Sequence, residues 1–370
     1  MAERGGLPGL ARPSVARRGR RRAERAPGRR RGGGRADLRH RPRGASELSA
    51  GVDSGARHVI DGAAPLLTPD SFPARRPGLL AGGLTAVAPT VASIETYSEA
   101  KQNLSGWHHL ASDPINNIEI CRTSGDLETA RAGGKLGIIL HLQGCDPIEG
   151  SIERLREFAA AGVRIMQPTY NAANALGTGS LSEETSGLTR FGRTAVHAMG
   201  ECGVIPDVSH ASNRTALDVL DSASGAVIAS HSNAVGVYGH PRNLSDDVIR
   251  GIAAHGGTVG VCAFPGFLAD SGHVPTVDDL IDHALYVAEL VGEQHVALGL
   301  DYADEDEDDY KYFGYDPRYY PPLPWSWPTG ISSHGELPLF AERVLARGLG
   351  QTFLEGILGG NYARVLGAVA

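Results

Sequence analysis

The chain has 370 residues, 41% of them hydrophobic, and a net charge of −7, values that suit a globular protein with a large core. The charge is unevenly shared: residues 1–57 hold 16 arginines, no lysine and five acidic residues, a charge of +11, which leaves −18 for the rest. The four cysteines (Cys121, Cys145, Cys202, Cys262) form no CxxC pair, which argues against a zinc knuckle and demands no disulfide framework.

Residues 1–57 are rich in Arg, Gly and Pro and lack apolar periodicity, so they are expected to be a disordered extension ahead of a domain spanning 58–370. A tail for nucleic acid or a membrane surface is one reading of the arginines; a dispensable extension is the simpler one. No apolar core follows the arginines as in a signal peptide. The stretch "LLAGGLTAVAPTVA" (79–92) is shorter than the ~20 residues of a membrane span and reads as a buried strand. A cytoplasmic protein with no membrane span, and no nucleic-acid role for the domain itself, is therefore expected.

From residue 58 onward, short β-branched runs alternate with amphipathic segments. Strands are predicted at 58–62, 83–91, 136–144, 163–171, 204–210, 226–233, 258–264 and 295–302, and helices between them at 146–162, 188–203, 212–224 and 276–293. Ser245 ahead of "DDVIRGIAAHGG", and Thr276 with Asp279 three residues on, read as helix starts. Eight strands alternating with helices predict an α/β fold, a (β/α)8 TIM barrel, and no Gly-rich dinucleotide fingerprint competes.

Active-site groups in this fold come from the C-terminal ends of the strands. Strand five ends in His210 and strand six in His231, two imidazoles able to converge on one metal ion. Strand eight ends in Asp301, a carboxylate at the barrel mouth that needs a metal, a cation or a proton-bearing partner. Strand three ends in Gln143, a poorer ligand than a carboxylate, with His141 two residues earlier on the same face. Tyr170 and Asn171 after strand four are candidate hydrogen-bond donors to substrate, and Arg242 after strand six could grip a carboxylate bidentately. The acidic run "DEDEDD" (304–309) reads as a solvated loop and the aromatic, Pro-rich "YDPRYYPPLPWSWPTG" (315–330) as a rigid loop packed near the mouth.

With these residues in view, the chain resembles the membrane (renal) dipeptidase family of zinc peptidases, in the amidohydrolase superfamily, over about residues 58–368. The carriers are "GKLGIILHLQGCDPIEG", "GVRIMQPTYNAANALGTG", "LTRFGRTAVHAMGECGVIPDVSHAS", "VIASHSNAVGVYGHPRNLSDD", "VALGLDYADE" and "ILGGNYARVLG". The resemblance implies a barrel with two bridged zinc ions that hydrolyses dipeptides. It maps the second-site zinc ligands onto His210 and His231, the aspartate handling the water's proton onto Asp301, and the arginine holding the substrate carboxylate onto Arg242; it also suggests a homodimer.

The departures concern the other metal. Family members open with Asp-Gly-His-Asn-Asp, whose His and second Asp bind the first zinc, whereas this chain reads Asp61-Gly62-Ala63-Ala64-Pro65. The ligand positions Ala63 and Pro65 are lost, the bridging glutamate is Gln143, and a substrate-side histidine of the animal enzymes is Tyr170. The expectation is a degenerate metal site with zero or one zinc, held by His210, His231 and weakly by Gln143, rather than a binuclear centre. Three readings follow: a dipeptidase-like hydrolase acting on a small dipeptide-like amide; a metal-independent barrel using His210, His231 and Asp301 as acid–base groups on a small carboxylate-bearing substrate in a biosynthetic pathway; and a non-catalytic pseudo-peptidase.

Overall fold

A computed structural model describes residues 57–183, 186–270 and 272–368. The extension expected at 1–57 lies, apart from Arg57, outside the described residues.

Eight parallel strands close into a barrel. The first (Ile60–Asp61) pairs with the second, Ile60 opposite Ala86, and the second (Ala86–Val87, continuing as Thr90–Ala92) pairs with the third (Leu136–Ile138, continuing as Leu140–Leu142). The fourth (Val163–Met166) lies between the third and the fifth (Ile205–Pro206). Single bridges carry the ladder through the sixth strand, Asp207 with Ile228 and Ala229 with Val259, to the seventh (Val259–Val261) and eighth (Val296–Leu298). The ring shuts where Gly62 N–H donates to the Leu298 carbonyl (3.0 Å) and Asp301 N–H to the Ala63 carbonyl (2.9 Å).

Small, β-branched residues fill the interior. Ile60, Ala86, Ile139, Ile165, Ile205, Ile228 and Ala297 pack with Tyr362 and Leu366 of the last helix (Asn361–Gly367). That helix is tied to the start of the eighth strand by Asn361 Nδ2, which donates to the Val296 carbonyl (2.8 Å), so it sits at the end opposite the strand C-termini. A second, larger apolar layer lies between strands and outer helices, and the third cluster, Cys262, Phe264, Phe267 and Tyr320, lies with the aromatic loop.

The sixth, seventh and eighth strands approach closely because glycines face the Ser230 carbonyl. A Cβ at Gly260 would lie 2.0 Å, and one at Gly299 1.7 Å, from the Ser230 oxygen. Backbone there cannot yield as a flexible side chain would. Gly299→Ala is therefore expected to destabilise by ~3 kcal/mol or more, at the upper end for overpacking, read as a fall in the thermal midpoint. Gly78→Ala, in a helix with nothing within 4 Å of the new methyl, should leave the midpoint unchanged or raise it. An unchanged midpoint for the Gly299 variant would contradict the strand spacing.

Local readings hold unevenly. Thr276 and Asp279 form the expected capping box, the Asp279 carboxylate accepting from the Thr276 N–H (2.7 Å) and hydroxyl (2.8 Å). Ser245 stands at the start of the helix Asp246–Ala254, but its side chain makes no cap bond; its hydroxyl donates to Asn213 Oδ1 (2.5 Å). The helix expected over 146–162 is broken: a turn at Asp146–Ile148 ends in Glu149, in the left-handed region at φ 47°, and the helix proper (Ile152–Ala160) starts again from Ser151. Of the stretch 79–92, Leu79–Ala81 ends the helix Phe72–Ala81 and strand begins only at Ala86. The acidic run is no plain loop, since Asp306 caps a helix (Glu307–Tyr312) whose acidic first turn suits the positive end of the helix dipole. The aromatic loop is packed as expected, with Trp325 edge-on to Phe264 (4.6 Å between ring centres). All four cysteines are free thiols. Among the described residues, no helix is long and apolar enough to cross a membrane.

Candidate active site

The strand C-termini bring together most of the groups singled out above. His210 and His231 lie with ring centres 4.9 Å apart, both buried. Their orientations are set by neighbours. Asn171 Oδ1 accepts from His210 Nδ1 (2.8 Å), and Asn171 Nδ2 donates to the Tyr320 hydroxyl (2.9 Å). Ser230 Oγ donates to Asp207 (2.5 Å) and so is left to accept from His231 Nδ1 (2.6 Å). With Nδ1 the donor in each ring, Nε2 carries the lone pair, and His231 Nε2 is buried without a partner. Burial pushes both imidazoles well below their ordinary range and Arg242 adds to the effect, so both are neutral near pH 7.

Asp207 is the hub beneath them. It accepts from His141 (3.1 Å), Gln167 (2.9 Å) and the hydroxyls of Ser209 (2.7 Å) and Ser230. Burial alone would raise its carboxyl, but the His141 hydrogen bond, with His231 and Ser209, holds it below the ordinary carboxylate range. His141 Nε2 is thereby committed to Asp207, while its Nδ1 is buried without a partner.

Asp301 occupies the left-handed region at φ 57°, a conformation Asp tolerates and that turns its carboxylate out of the eighth strand. Burial pushes its carboxyl up to about 7; Arg242 lowers it, Asp61 raises it, and Cys262 and Gln143 lower it. The Cys262 thiol lies 3.8 Å away. The Gln143 amide nitrogen is buried without a partner.

Arg242 is 1% exposed. Its guanidinium donates to the Ser209 carbonyl and, at 3.5 Å, to the His231 carbonyl, and lies 5.0 Å over the Phe267 ring. Its Nε has no partner, so the fork is not saturated. Tyr170 stacks on His210 at 4.1 Å, its hydroxyl 3.1 Å from that of Tyr315. Tyr170 and Asn171, expected as substrate donors, are thus both engaged with neighbours.

The first strand ends differently. Asp61 Oδ1 accepts from the N–H groups of Ala63 (3.1 Å) and Leu300 (2.8 Å), and Oδ2 pairs with His334 (2.7 Å), so this carboxylate joins the first strand to the eighth. Ala63 and Ala64 are buried, and Ala63 and Pro65 carry no donor atom for a metal. Among the described residues, no three His, Cys, Asp or Glu side chains cluster as a metal-holding group. The donors available to a divalent ion there are the two neutral imidazoles, His231 Nε2 being a buried lone pair without a partner; a bridged pair of ions would need more ligands than these.

Reading the sequence missed Asp207, Ser230 and the Asp61–His334 pair. Period-two alternation in "IPDVSH" places Asp207 and Ser209 on one face and could have marked the first; nothing local links Asp61 to His334, 273 residues on.

The sequence pattern of the membrane dipeptidase family (peptidase family M19) matches residues 72–312. An uncharacterized dipeptidase of Schizosaccharomyces pombe is 33% identical over 193 residues, 50% of this chain and 46% of that protein, so the match spans about half of that relative. An uncharacterized protein in the pqqA 5' region of Klebsiella pneumoniae is 28% identical over 274 residues, 72% of this chain and 94% of that one. Among solved structures, an amidohydrolase from Pseudomonas aeruginosa superposes with a TM-score of 0.77 at 31% identity, covering 88% of this chain and 98% of that one. A metallo peptidase from Rhodobacter sphaeroides, liganded with a phosphinate mimic of L-Ala-D-Ala, has the same fold, with a TM-score of 0.71 at 20% identity over 85% of this chain and 100% of that one.

Proposed function

The chain belongs to the membrane dipeptidase family, a family of metallopeptidases, and from that premise we propose that it hydrolyses the amide bond of a small dipeptide-like substrate with at most one zinc ion, held by His210 and His231. The observation that carries this reading is the pair of unmet buried groups at one barrel mouth, the His231 Nε2 lone pair and the Arg242 Nε–H, beside a carboxyl at about 7. Each lacks something a ligand would supply.

In this reading Arg242 receives the substrate carboxylate through its unsaturated fork. Asp301 accepts a proton from the attacking water, and its value near 7 suits a general base at neutral pH. Asn171 and Ser230 act by holding the two imidazoles with Nε2 toward the mouth. When bound, a divalent ion supplies Lewis acidity, which eases deprotonation of water and polarises a carbonyl.

A second reading, acid–base chemistry without a metal on a small carboxylate-bearing substrate, is favoured by one observation: the Asp301 carboxyl reaches about 7 through burial and needs no ion to serve as a base. The two separate experimentally. Protein purified without a His-tag is expected to take up one Zn²⁺ per chain and to cleave members of a dipeptide panel in a chelator-sensitive way. Metal-free protein whose amide hydrolysis is not restored by Zn²⁺ sinks the first reading; stoichiometric zinc with chelator-sensitive cleavage sinks the second.

A further inference from the structure

Glu305 is a half-buried acid that the proposed mechanism does not use. Its Oε1 accepts from the Tyr315 hydroxyl (2.9 Å), but its Oε2 is buried with no hydrogen-bond partner, and among the described residues no basic side chain pairs with it. The surroundings are aromatic. Tyr315 stacks between Phe313 (5.7 Å) and Tyr320 (4.3 Å), Tyr310 meets it edge-on (5.5 Å), and Phe313 reaches Tyr170 (5.9 Å). The Tyr315 hydroxyl also meets that of Tyr170, the ring stacked on His210, so the box opens onto the same mouth. A carboxylate with one oxygen idle among aromatic side chains is a receptor for a cation carrying N–H donors: the oxygen accepts a charge-assisted hydrogen bond in surroundings of low polarity.

We propose that Glu305, with Tyr170, Phe313 and Tyr315, receives the ammonium group of the substrate, so that the site selects a small zwitterion whose carboxylate lies on Arg242. This rests on the reading that the site takes a small carboxylate-bearing amide. Within the protein, a structural role accounts for Oε1 alone, held by the Tyr315 hydroxyl. Burial pushes the Glu305 carboxyl up to about 8, against the Tyr315 hydrogen bond and with Asp301 adding to the rise. An ammonium ion is the group that would relieve both acids.

The test is calorimetric binding of L-Ala-L-Ala and of N-propionyl-L-alanine, the same molecule without its amine, to the wild type and to Glu305→Gln, with cleavage scored in the same samples. The wild type is expected to bind the dipeptide about ten- to a hundredfold more tightly than the des-amino analogue. Glu305→Gln should abolish that preference while leaving the analogue's affinity within about threefold, and Tyr315→Phe, which keeps the carboxylate, should retain it. Equal binding of both compounds by the wild type, equal weakening of both by Glu305→Gln, or binding of neither overturns the proposal. A dipeptide bound with the expected preference but left uncleaved removes the hydrolase reading and leaves the ammonium site standing.

Discussion

Replacing Asp301 with Asn is expected to lower kcat for amide hydrolysis by about 10²–10⁴-fold, the range for loss of a positioned general base, while substrate affinity changes little. The amide keeps the shape and removes the proton acceptor. Wild-type kcat/KM should fall on the acid side as Asp301 is protonated, with an apparent pKa near 7, the value to which burial pushes this carboxyl, or lower where a bound divalent ion stabilises the carboxylate. The same substitution has a stability consequence of opposite sign. With its carboxyl raised from the ordinary aspartate value of 3.8, the folded protein holds this proton more tightly than the unfolded chain. The stabilisation is thus fully present below about pH 4 and lost as pH rises through about 7. Asp301→Asn removes that loss, so the variant should melt at a higher temperature than the wild type at pH 8. A variant that retains full activity would remove Asp301 from the mechanism.

Arg242→Met is expected to raise KM for a substrate with a free carboxylate by roughly 100-fold, in keeping with ~3 kcal/mol for a buried charge pair lost from one side. Methionine approximates the length and fills the space over Phe267 without a charge. Some stability will go too, because the guanidinium also satisfies the Ser209 and His231 carbonyls. The informative readout is therefore a ratio: the preference for a dipeptide over its C-terminal carboxamide. Structural damage weakens both alike, whereas loss of the carboxylate receptor collapses the ratio toward one. A retained preference would mean that Arg242 serves the barrel wall alone.

Sequence alone determined the architecture and most of the polar groups at the mouth. Short β-branched runs alternating with amphipathic helices specify a barrel because each parallel strand is buried on both faces, and position at a strand end then assigns His210, His231 and Asp301 to one rim. That the side chains of Ala63 and Pro65 offer no metal ligand was equally legible, since no fold can make a methyl or a pyrrolidine ring one. Tertiary structure decided which groups are free to act. Asp61 looks as available in sequence as Asp301, yet its oxygens are taken up by the N–H groups of Ala63 and Leu300 and by His334. In "DEDEDD" the sequence offers no way to separate Glu305 from its neighbours; only the packing of Tyr315 and Phe313, brought there by the following loop, buries one of its oxygens and leaves it without a partner. The physical reason is common to all of these. Residue type sets what a side chain can donate or accept, but whether that capacity is spent or idle depends on partners tens to hundreds of residues away.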